Sequence, residues 1–191
     1  MSEDLMEQAT MLLMEAEEKM EKSLQSTRNE FQSIRTGRAN PALLQRVQVE
    51  YYGAQTPLQQ LATVSVPEPR MLMIQPFDKN ALVEIDRAIQ KSDLGLTPNN
   101  DGKVIRLNIP PLTEERRRDY VKLAKKVAEE GKVAVRNVRR DAIDSLKKLE
   151  KDGLPKDTLK TMQDDVQTLT DKYIVKLDTA TDEKEAEIME R

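Results

Sequence analysis

One segment of the chain concentrates cationic side chains that could bind phosphate groups. Residues 116–148 contain 12 Lys or Arg against 5 Asp or Glu, which gives this segment a local charge of +7. Because the whole chain carries −3, the remainder carries −10. A polyanion such as a nucleic acid offsets the repulsion within a concentrated positive charge. The segment is therefore the first candidate for a binding surface.

Side chains that support catalysis are scarce in this sequence. There is no His and no Cys, which removes the usual general base near neutral pH, thiolate nucleophiles, disulfides and thiolate zinc sites. Phosphate-binding glycine loops and the G-x-S-x-G nucleophile motif are also missing. Asp164 and Asp165 are adjacent, and on a helix they point about 100° apart, which makes them a poor metal site. We expect no enzymatic activity, cofactor, metal or small-molecule substrate.

A long helix is predicted to position the cations. Thr113 is suited to cap its first turn, and Glu114 to face the positive end of the helix dipole. Apolar side chains then recur at three- and four-residue spacing until Gly153 ends the pattern. A sector of about 100° on this helix holds eight cations. We name them the basic stripe: Arg118, Lys122, Lys125, Lys132, Arg136, Arg139, Arg140 and Lys147.

The basic stripe has more than one interpretation. Charged helix faces are usually solvated, and neighbouring acidic helices could pair with this one. Apart from Glu129, however, the acids of this helix fall on another flank, and segregated like charge favours an anionic partner. No aromatic residue lies within the stripe, so phosphate and shape contacts with structured RNA fit better than base stacking on single strands.

Two rival functions remain open. A helical scaffold could hold a protein in its apolar grooves, with the stripe serving only solubility; binding through phosphates would weaken steeply with salt, whereas apolar association would not. A nucleic-acid-processing enzyme would need a metal or nucleotide site, which we do not find. Turnover by the purified protein would revive that second alternative.

Two other segments show the same helical periodicity. One extends from Leu5 to about Arg35, and the other from Leu159 to Ala180, after which the charged tail EKEAEIMER is predicted to fray. Helices of about 35 residues are roughly 50 Å long, and each can bury its apolar stripe only against the others. This predicts a three-helix bundle formed by residues 1–35 and 113–191. Gly131 lies on an apolar stripe, which indicates close approach of a neighbouring helix.

An α/β unit is predicted to interrupt the bundle at residues 36–112. Short runs rich in β-forming residues, VQVEYY, ATVSV, RMLMIQPF and VIRLNI, are bounded by Gly, Pro and Asn. Asp78 could cap a short helix that ends before Gly95. The predicted fold class is therefore α+β, a long three-helix bundle with a small, β-rich inserted domain. The chain crosses between the two domains twice, and such a double crossing suits a hinge. Its residues are Thr36, Gly37, Arg38, Pro110, Pro111 and Leu112.

Neither a targeting segment nor a membrane span is recognisable. Met1 leads directly into an acidic, helix-forming segment, unlike a secretory signal or an organelle presequence. No apolar run approaches the roughly 20 residues that cross a bilayer. We expect a cytoplasmic protein that acts as a monomer and does not bind membranes.

Several motifs in this order resemble the bacterial ribosome recycling factors, and the resemblance covers essentially the whole chain. They are IRTGRANPALL at Ile34–Leu44, VEYYGAQTPLQQLA at Val49–Ala62, SDLGLTPN at Ser92–Asn99, PPLTEERR at Pro110–Arg117, VAVRNVRRDA at Val133–Ala142 and QDDVQTLTD at Gln163–Asp171.

The resemblance implies an L-shaped protein of transfer-RNA-like dimensions. It also implies binding to the large ribosomal subunit across the tRNA sites after termination. There, with elongation factor G and GTP hydrolysis by that partner, the protein would separate the subunits and allow release of mRNA and tRNA. By the same resemblance, Arg136, Arg139 and Arg140 contact ribosomal RNA, with Arg139 the first choice, while Arg35 and Arg38 lie near the RNA-facing side.

Overall fold

The computed structural model describes residues 3–190, so the first two residues and the last residue of the predicted bundle lie outside the described residues. Two 3-10 turns, at Pro41–Leu44 and Lys79–Ala81, accompany the regular elements. In chain order the α-helices and strands are α1 Glu3–Gln32, β1 Gln48–Tyr51, β2 Ala54–Pro57, α2 Leu58–Leu61, β3 Ala62–Glu68, β4 Met71–Pro76, α3 Leu82–Lys91, β5 Pro98–Asn100, β6 Ile105–Asn108, α4 Glu114–Lys151 and α5 Lys156–Met189.

The chain divides into two compact units. The first consists of the described residues up to Phe31 together with Val121–Ala186, and the second of Gln32–Tyr120 with the described residues from Glu187 onward. The predicted α+β class, with long helices and a small sheet-containing insertion, is confirmed.

The first unit is built from α1, α4 and α5. Each contributes one apolar face, because residues three or four positions apart lie on the same side of a helix. The faces meet in a buried core that includes Met20 and Leu24 of α1, Val135 of α4, and Tyr173 and Leu177 of α5. A continuation of this core joins Ala9, Ala16, Ala142, Leu146 and Val166. The three helices bury their apolar stripes against one another, as the periodicity predicts.

The second unit contains two antiparallel sheets. One is the β1–β2 hairpin, and the other has four strands in the order β3-β4-β6-β5. Leu72 lies opposite Leu107 in the register between β4 and β6, and both are fully buried because alternate residues of a strand face the same side. Ile85 and Ile89 of α3 belong to the same core cluster. Amphipathic α3 therefore helps to cover the apolar face of the sheet.

Several local predictions are resolved by the structure. The Thr113 cap is confirmed, since its Oγ1 accepts a hydrogen bond from Arg116 N at 3.1 Å. Asp78 is also a cap, but for the 3-10 turn before α3, where its carboxylate accepts from Asn80 N at 2.9 Å. Strands β2 and β5 were not predicted, because AQTP and PNN lack β-branched runs and contain Pro.

The prediction that the C-terminal tail frays is wrong. Helix α5 continues to Met189. Lys184 and Ile188 lie on the turns that a fraying helix would release, yet both are buried, Ile188 completely. Burial of a large aliphatic side chain stabilises the last turns by roughly 1.5–3 kcal/mol, which offsets their high charge. Within residues 3–190, none of the helices has the length and apolar character needed to cross a membrane.

Candidate nucleic-acid interface

Helix α4 carries the whole basic stripe on one regular element. It extends over 38 residues, and its first turn is capped by Thr113 and carries Glu114 and Glu115. Such acids interact favourably with the positive end of the helix dipole. From Arg118 to Lys147 the stripe is about 44 Å long at 1.5 Å per residue. The helix thus presents a row of cations of the kind that phosphates of a folded nucleic acid can contact.

Most of the stripe is open to solvent. Six of its eight side chains are exposed, and Lys132 and Arg139 are half-buried. Five of the exposed cations form no ion pair with another described residue: Arg118, Lys122, Lys125, Arg140 and Lys147. Their positive charge is therefore not compensated within the described part of the chain.

The other three members of the stripe have partners. Lys132 forms an ion pair with Asp178 of α5. Arg136 Nη1 lies 3.4 Å from Glu129 Oε1 on its own helix, and Arg139 Nη1 donates to Gln167 Oε1 at 3.4 Å. The alternative to RNA binding is that neighbouring acidic helices neutralise the stripe. Among the described residues, Lys132 is the only stripe cation paired with an acid of another helix. The ion pair of Arg136 and the hydrogen bond of Arg139 are both long and lie at the surface, so an external anion can replace them at small cost.

Arg35 and Arg38 belong to the second unit, not to the stripe. Arg35 Nη1 donates to the carbonyl of Leu94 at 3.4 Å, while its Nε is buried with no hydrogen-bond partner among the described residues. Arg38 is exposed and forms an ion pair with Glu190. Both arginines are thus engaged within the protein, and each would have to exchange an internal contact for an external one.

The two predicted hinge segments lie beside each other within the second unit. Gly37 is buried and has φ +83°, a left-handed conformation that glycine adopts without strain. A Cβ at this position would lie 3.8 Å from Leu112 N, so the segment containing Thr36 passes next to the one formed by Pro110, Pro111 and Leu112.

Two further arginines, Arg117 and Arg70, are candidate binding residues that the sequence analysis did not identify. Arg117 is only 8% exposed and lies at a buried position of α4, and Arg70 is exposed at the turn between β3 and β4. Arg117 precedes Val121 and Ala124 at four- and three-residue spacing, so it occupies an apolar register position. A cation at such a position was the signal that could have identified it.

No group of three or more acidic side chains among residues 3–190 is arranged to hold a metal ion. Asp164 and Asp165 are both exposed on α5. The positive surface of α4 is therefore the feature of the described residues best suited to a macromolecular ligand.

Comparisons with known proteins agree on one family. The family model described as ribosome recycling factor matches residues 27–189. The ribosome-recycling factor of Halalkalibacterium halodurans is 63% identical over 180 residues, which cover 94% of this chain and 97% of that protein. That of Bacillus subtilis is 58% identical over 180 residues, with the same coverage of 94% and 97%.

Solved structures give the same result. A solution structure of the ribosome recycling factor superimposes with a TM-score of 0.75 at 43% identity, covering 99% of both chains. A second match is the T. thermophilus ribosome recycling factor, described with E. coli elongation factor G bound to the E. coli post-termination complex. It has a TM-score of 0.67 and 49% identity, and covers 95% of this chain and 99% of that one.

Proposed function

The chain belongs to the ribosome recycling factor family, and from this premise we propose that it recycles ribosomes after translation termination. It binds the large ribosomal subunit across the tRNA sites. With elongation factor G, which hydrolyses GTP, it then separates the subunits and allows mRNA and tRNA to leave. The protein acts in the cytoplasm as a monomer and contributes no catalytic group of its own.

The observation that carries this proposal is the row of uncompensated cations on α4. Five exposed members of the basic stripe lack an ion-pair partner among the described residues, and they occupy one sector of a helix about 44 Å long between its end members. Phosphate contacts of this kind supply affinity that does not depend on sequence, and they fix the orientation of a bound protein.

Within the stripe, we propose Arg136, Arg139 and Arg140 as the central contacts to ribosomal RNA. The hydrogen bond from Arg139 to Gln167 of α5, at 3.4 Å, uses only Nη1, so the other guanidinium donors of Arg139 remain for a phosphate. Arg140 is exposed and forms no ion pair with a described residue. Lys132, Lys125, Lys122 and Arg118 extend the contact along α4, and Arg35 and Arg38 add to it from the second unit.

The partner elongation factor G is proposed by analogy with a structural relative. The T. thermophilus factor that matches this chain is described together with elongation factor G on a post-termination complex. At 49% identity, a shared partner is the expectation for the present chain. The nucleotide is bound and hydrolysed by that partner.

We further propose that the bundle, residues 1–35 and 113–191, anchors on RNA while elongation factor G moves the inserted domain, residues 36–112. The hinge consists of Thr36, Gly37, Arg38, Pro110, Pro111 and Leu112. Support comes from the two hinge segments, which run side by side at Gly37 and Leu112. The positive φ of Gly37 and the fixed φ of two consecutive prolines limit the number of backbone torsions that can turn.

Ribosome pelleting tests the anchoring site. The wild-type protein, Arg139→Ala and the control Lys148→Ala are sedimented with large subunits at moderate salt. Lys148 is an exposed cation of α4 on the side of the helix away from the stripe. We expect Arg139→Ala to lose most of its co-sedimentation and Lys148→Ala to behave as wild type. Equal co-sedimentation of all three proteins would contradict the proposed contact.

A further inference from the structure

A small cavity in the second unit is lined by an unusual excess of arginines. Its volume is about 190 Å³, enough for several water molecules. Arg38, Arg70 and Arg117 contribute to its wall, and Glu190 is the acidic residue among its described lining residues. Glu190 is ion-paired with Arg38, and Glu114, which does not line the cavity, is ion-paired with Arg117, so the three guanidinium groups exceed their carboxylate partners by one positive charge. None of the basic stripe residues lines it.

Arg117 has more hydrogen-bonding capacity than its neighbours satisfy. Its side chain is nine-tenths buried, with Nη1 3.1 Å from Glu114 Oε1 and Nη2 donating to the Glu190 carbonyl at only 3.4 Å. Its Nε is buried and has no hydrogen-bond partner among the described residues. A buried N–H without an acceptor costs about 1–3 kcal/mol. The donors of Arg117 are therefore better suited to a stronger acceptor than the Glu190 carbonyl.

The other two arginines leave the cavity's charge incompletely balanced. Arg38 is paired with the Glu190 carboxylate. Arg70 is exposed and forms no ion pair with any residue in the described range 3–190. Glu190 pairs with Arg38 and Glu114 pairs with Arg117, so Arg70 is the cation of the wall that has no carboxylate partner among residues 3–190. A phosphate group carries more acceptor oxygens than a carboxylate and matches the paired donors of guanidinium groups.

The Glu190 carboxylate is placed so that another anion can replace it. The helix α5 ends at Met189, and the completely buried Ile188 fixes its last turn in the second unit. Glu190 follows that anchor outside the helix, and its side chain is 46% exposed. An exposed ion pair contributes only about 0.2–1 kcal/mol, so an incoming anion can replace it without unfolding the helix.

From these contacts we infer that the cavity is a phosphate-binding site in which the Glu190 carboxylate holds the position of the ligand until a phosphate group displaces it. Arg38 and Arg70 bind the phosphate from the open side, and Arg117, which stays paired with Glu114, offers its buried Nε–H as a further donor. The phosphate can belong to an RNA backbone or be a free ion. If the phosphate belongs to RNA, this inference rests on the proposed ribosomal function, and the cavity is a second RNA contact, separate from the basic stripe.

Titration of the full chain with inorganic phosphate tests the site directly. The guanidinium N–H resonances of Arg38, Arg70 and Arg117 are followed by NMR, while chloride keeps the ionic strength constant. We expect saturable shifts at these three arginines and none at Arg46, an exposed cation of the same unit that does not line the cavity. Shifts that never saturate, or that appear equally at Arg46, would overturn the site.

Variants separate a defined site from general charge. Arg70→Ala is chosen because Arg70 is exposed, so folding is preserved, and it should weaken phosphate binding about two- to fivefold. Glu190→Gln removes the competing carboxylate and should tighten binding by a similar factor. Arg46→Ala removes the same charge outside the cavity and should leave the affinity unchanged. Identical affinities in all variants would refute the competition with Glu190.

Ribosome pelleting in phosphate-free buffer distinguishes the two sources of phosphate. If RNA supplies the ligand, Arg70→Ala weakens and Glu190→Gln tightens co-sedimentation with large subunits. If pelleting is unchanged while the titration responds, the ligand is free phosphate and the RNA assignment is wrong. The titration uses no ribosome, so its failure leaves the proposed function standing, and failure of the Arg139→Ala test leaves the phosphate site standing.

Discussion

Gly131 of α4 packs so closely against Thr27 of α1 that a Cβ at position 131 would overlap the Thr27 Oγ1. The same Cβ would lie 3.3 Å from Leu177 Cδ2 of α5. Gly131, Thr27 and Leu177 are all buried, so the three helices meet at this level. The interpretation of Gly131 as a packing residue is confirmed, since absence of a side chain is what permits the close approach.

Replacing Gly131 by Ala is expected to destabilise the protein by about 1–2 kcal/mol. Overpacking costs about 1–3 kcal/mol, and the overlap with buried, β-branched Thr27 lies at the upper end of that range. Ala gains back only about 1 kcal/mol through its higher helix propensity. Urea unfolding monitored by circular dichroism measures the difference.

A double mutant provides the control for this prediction. Thr27→Ala removes the Oγ1 that the new Cβ meets, so Gly131→Ala should cost less in that background than in the wild type. The packing explanation fails if Gly131→Ala is as stable as the wild type, or if its cost is the same in both backgrounds.

Stability above pH 10 should depend on Tyr173. Burial, together with its hydrogen bond to Glu21 at 2.8 Å, raises the pKa of Tyr173 to about 12. An unfolded tyrosine has a pKa of about 10, so the folded state binds this proton more tightly. The resulting stabilisation is complete below pH 10 and is lost as the pH rises from 10 to 12. Tyr173→Phe removes the titrating group and should therefore flatten this part of the curve.

Denaturant unfolding of wild type and Tyr173→Phe from about pH 9 to 12 measures this effect. Comparison of the two proteins cancels the contributions of lysines and of Tyr51, whose pKa is also raised to about 12 by its hydrogen bond to Asp78. If the two stability curves remain parallel over the whole range, Tyr173 does not hold its proton as described.

Arg140 should account for one phosphate contact in the slope of log K against the logarithm of the salt concentration for ribosome binding. Each phosphate contact lowers log K by about 0.7–0.9 for every tenfold increase in salt. Arg140→Ala is therefore expected to reduce that slope by about this amount, whereas Lys148→Ala should leave it unchanged. Large-subunit affinities measured over a series of KCl concentrations give the slope. An unaltered slope in Arg140→Ala would mean that Arg140 touches no phosphate.

Loosening the hinge should separate ribosome binding from subunit splitting. Gly37 is unsuited to a stiffening proline, because its φ of +83° is incompatible with the proline value near −65°. Replacement of Pro110 and Pro111 by Ala instead frees two backbone torsions. We expect slower splitting by elongation factor G and GTP with unchanged affinity for the large subunit. Wild-type splitting rates in this variant would remove the support for the hinge.

Local features of the fold could be predicted where short-range physical chemistry decides them. The apolar spacing of α4 and the cap at Thr113 follow from helix geometry and from the hydrogen-bonding needs of the first turn. Strands β2 and β5 could not be predicted, because three or four residues of low β propensity are held by pairing with β1 and β6. The prediction that α5 frays was wrong for the same reason: burial of Ile188 against other parts of the chain outweighs the high charge of the last turns.

Residue spacing along the chain is enough to predict the long helices, the single face on which their apolar residues lie, and the sector of α4 that carries the cations. Which cations are free depends on how the helices and loops pack. Lys132 meets Asp178 and Arg38 meets Glu190, and the second pair joins residues 152 positions apart in the chain. Such contacts depend on how separate elements pack, which no local pattern encodes. The same packing buries Arg117 without a full set of acceptors and so creates the proposed phosphate site.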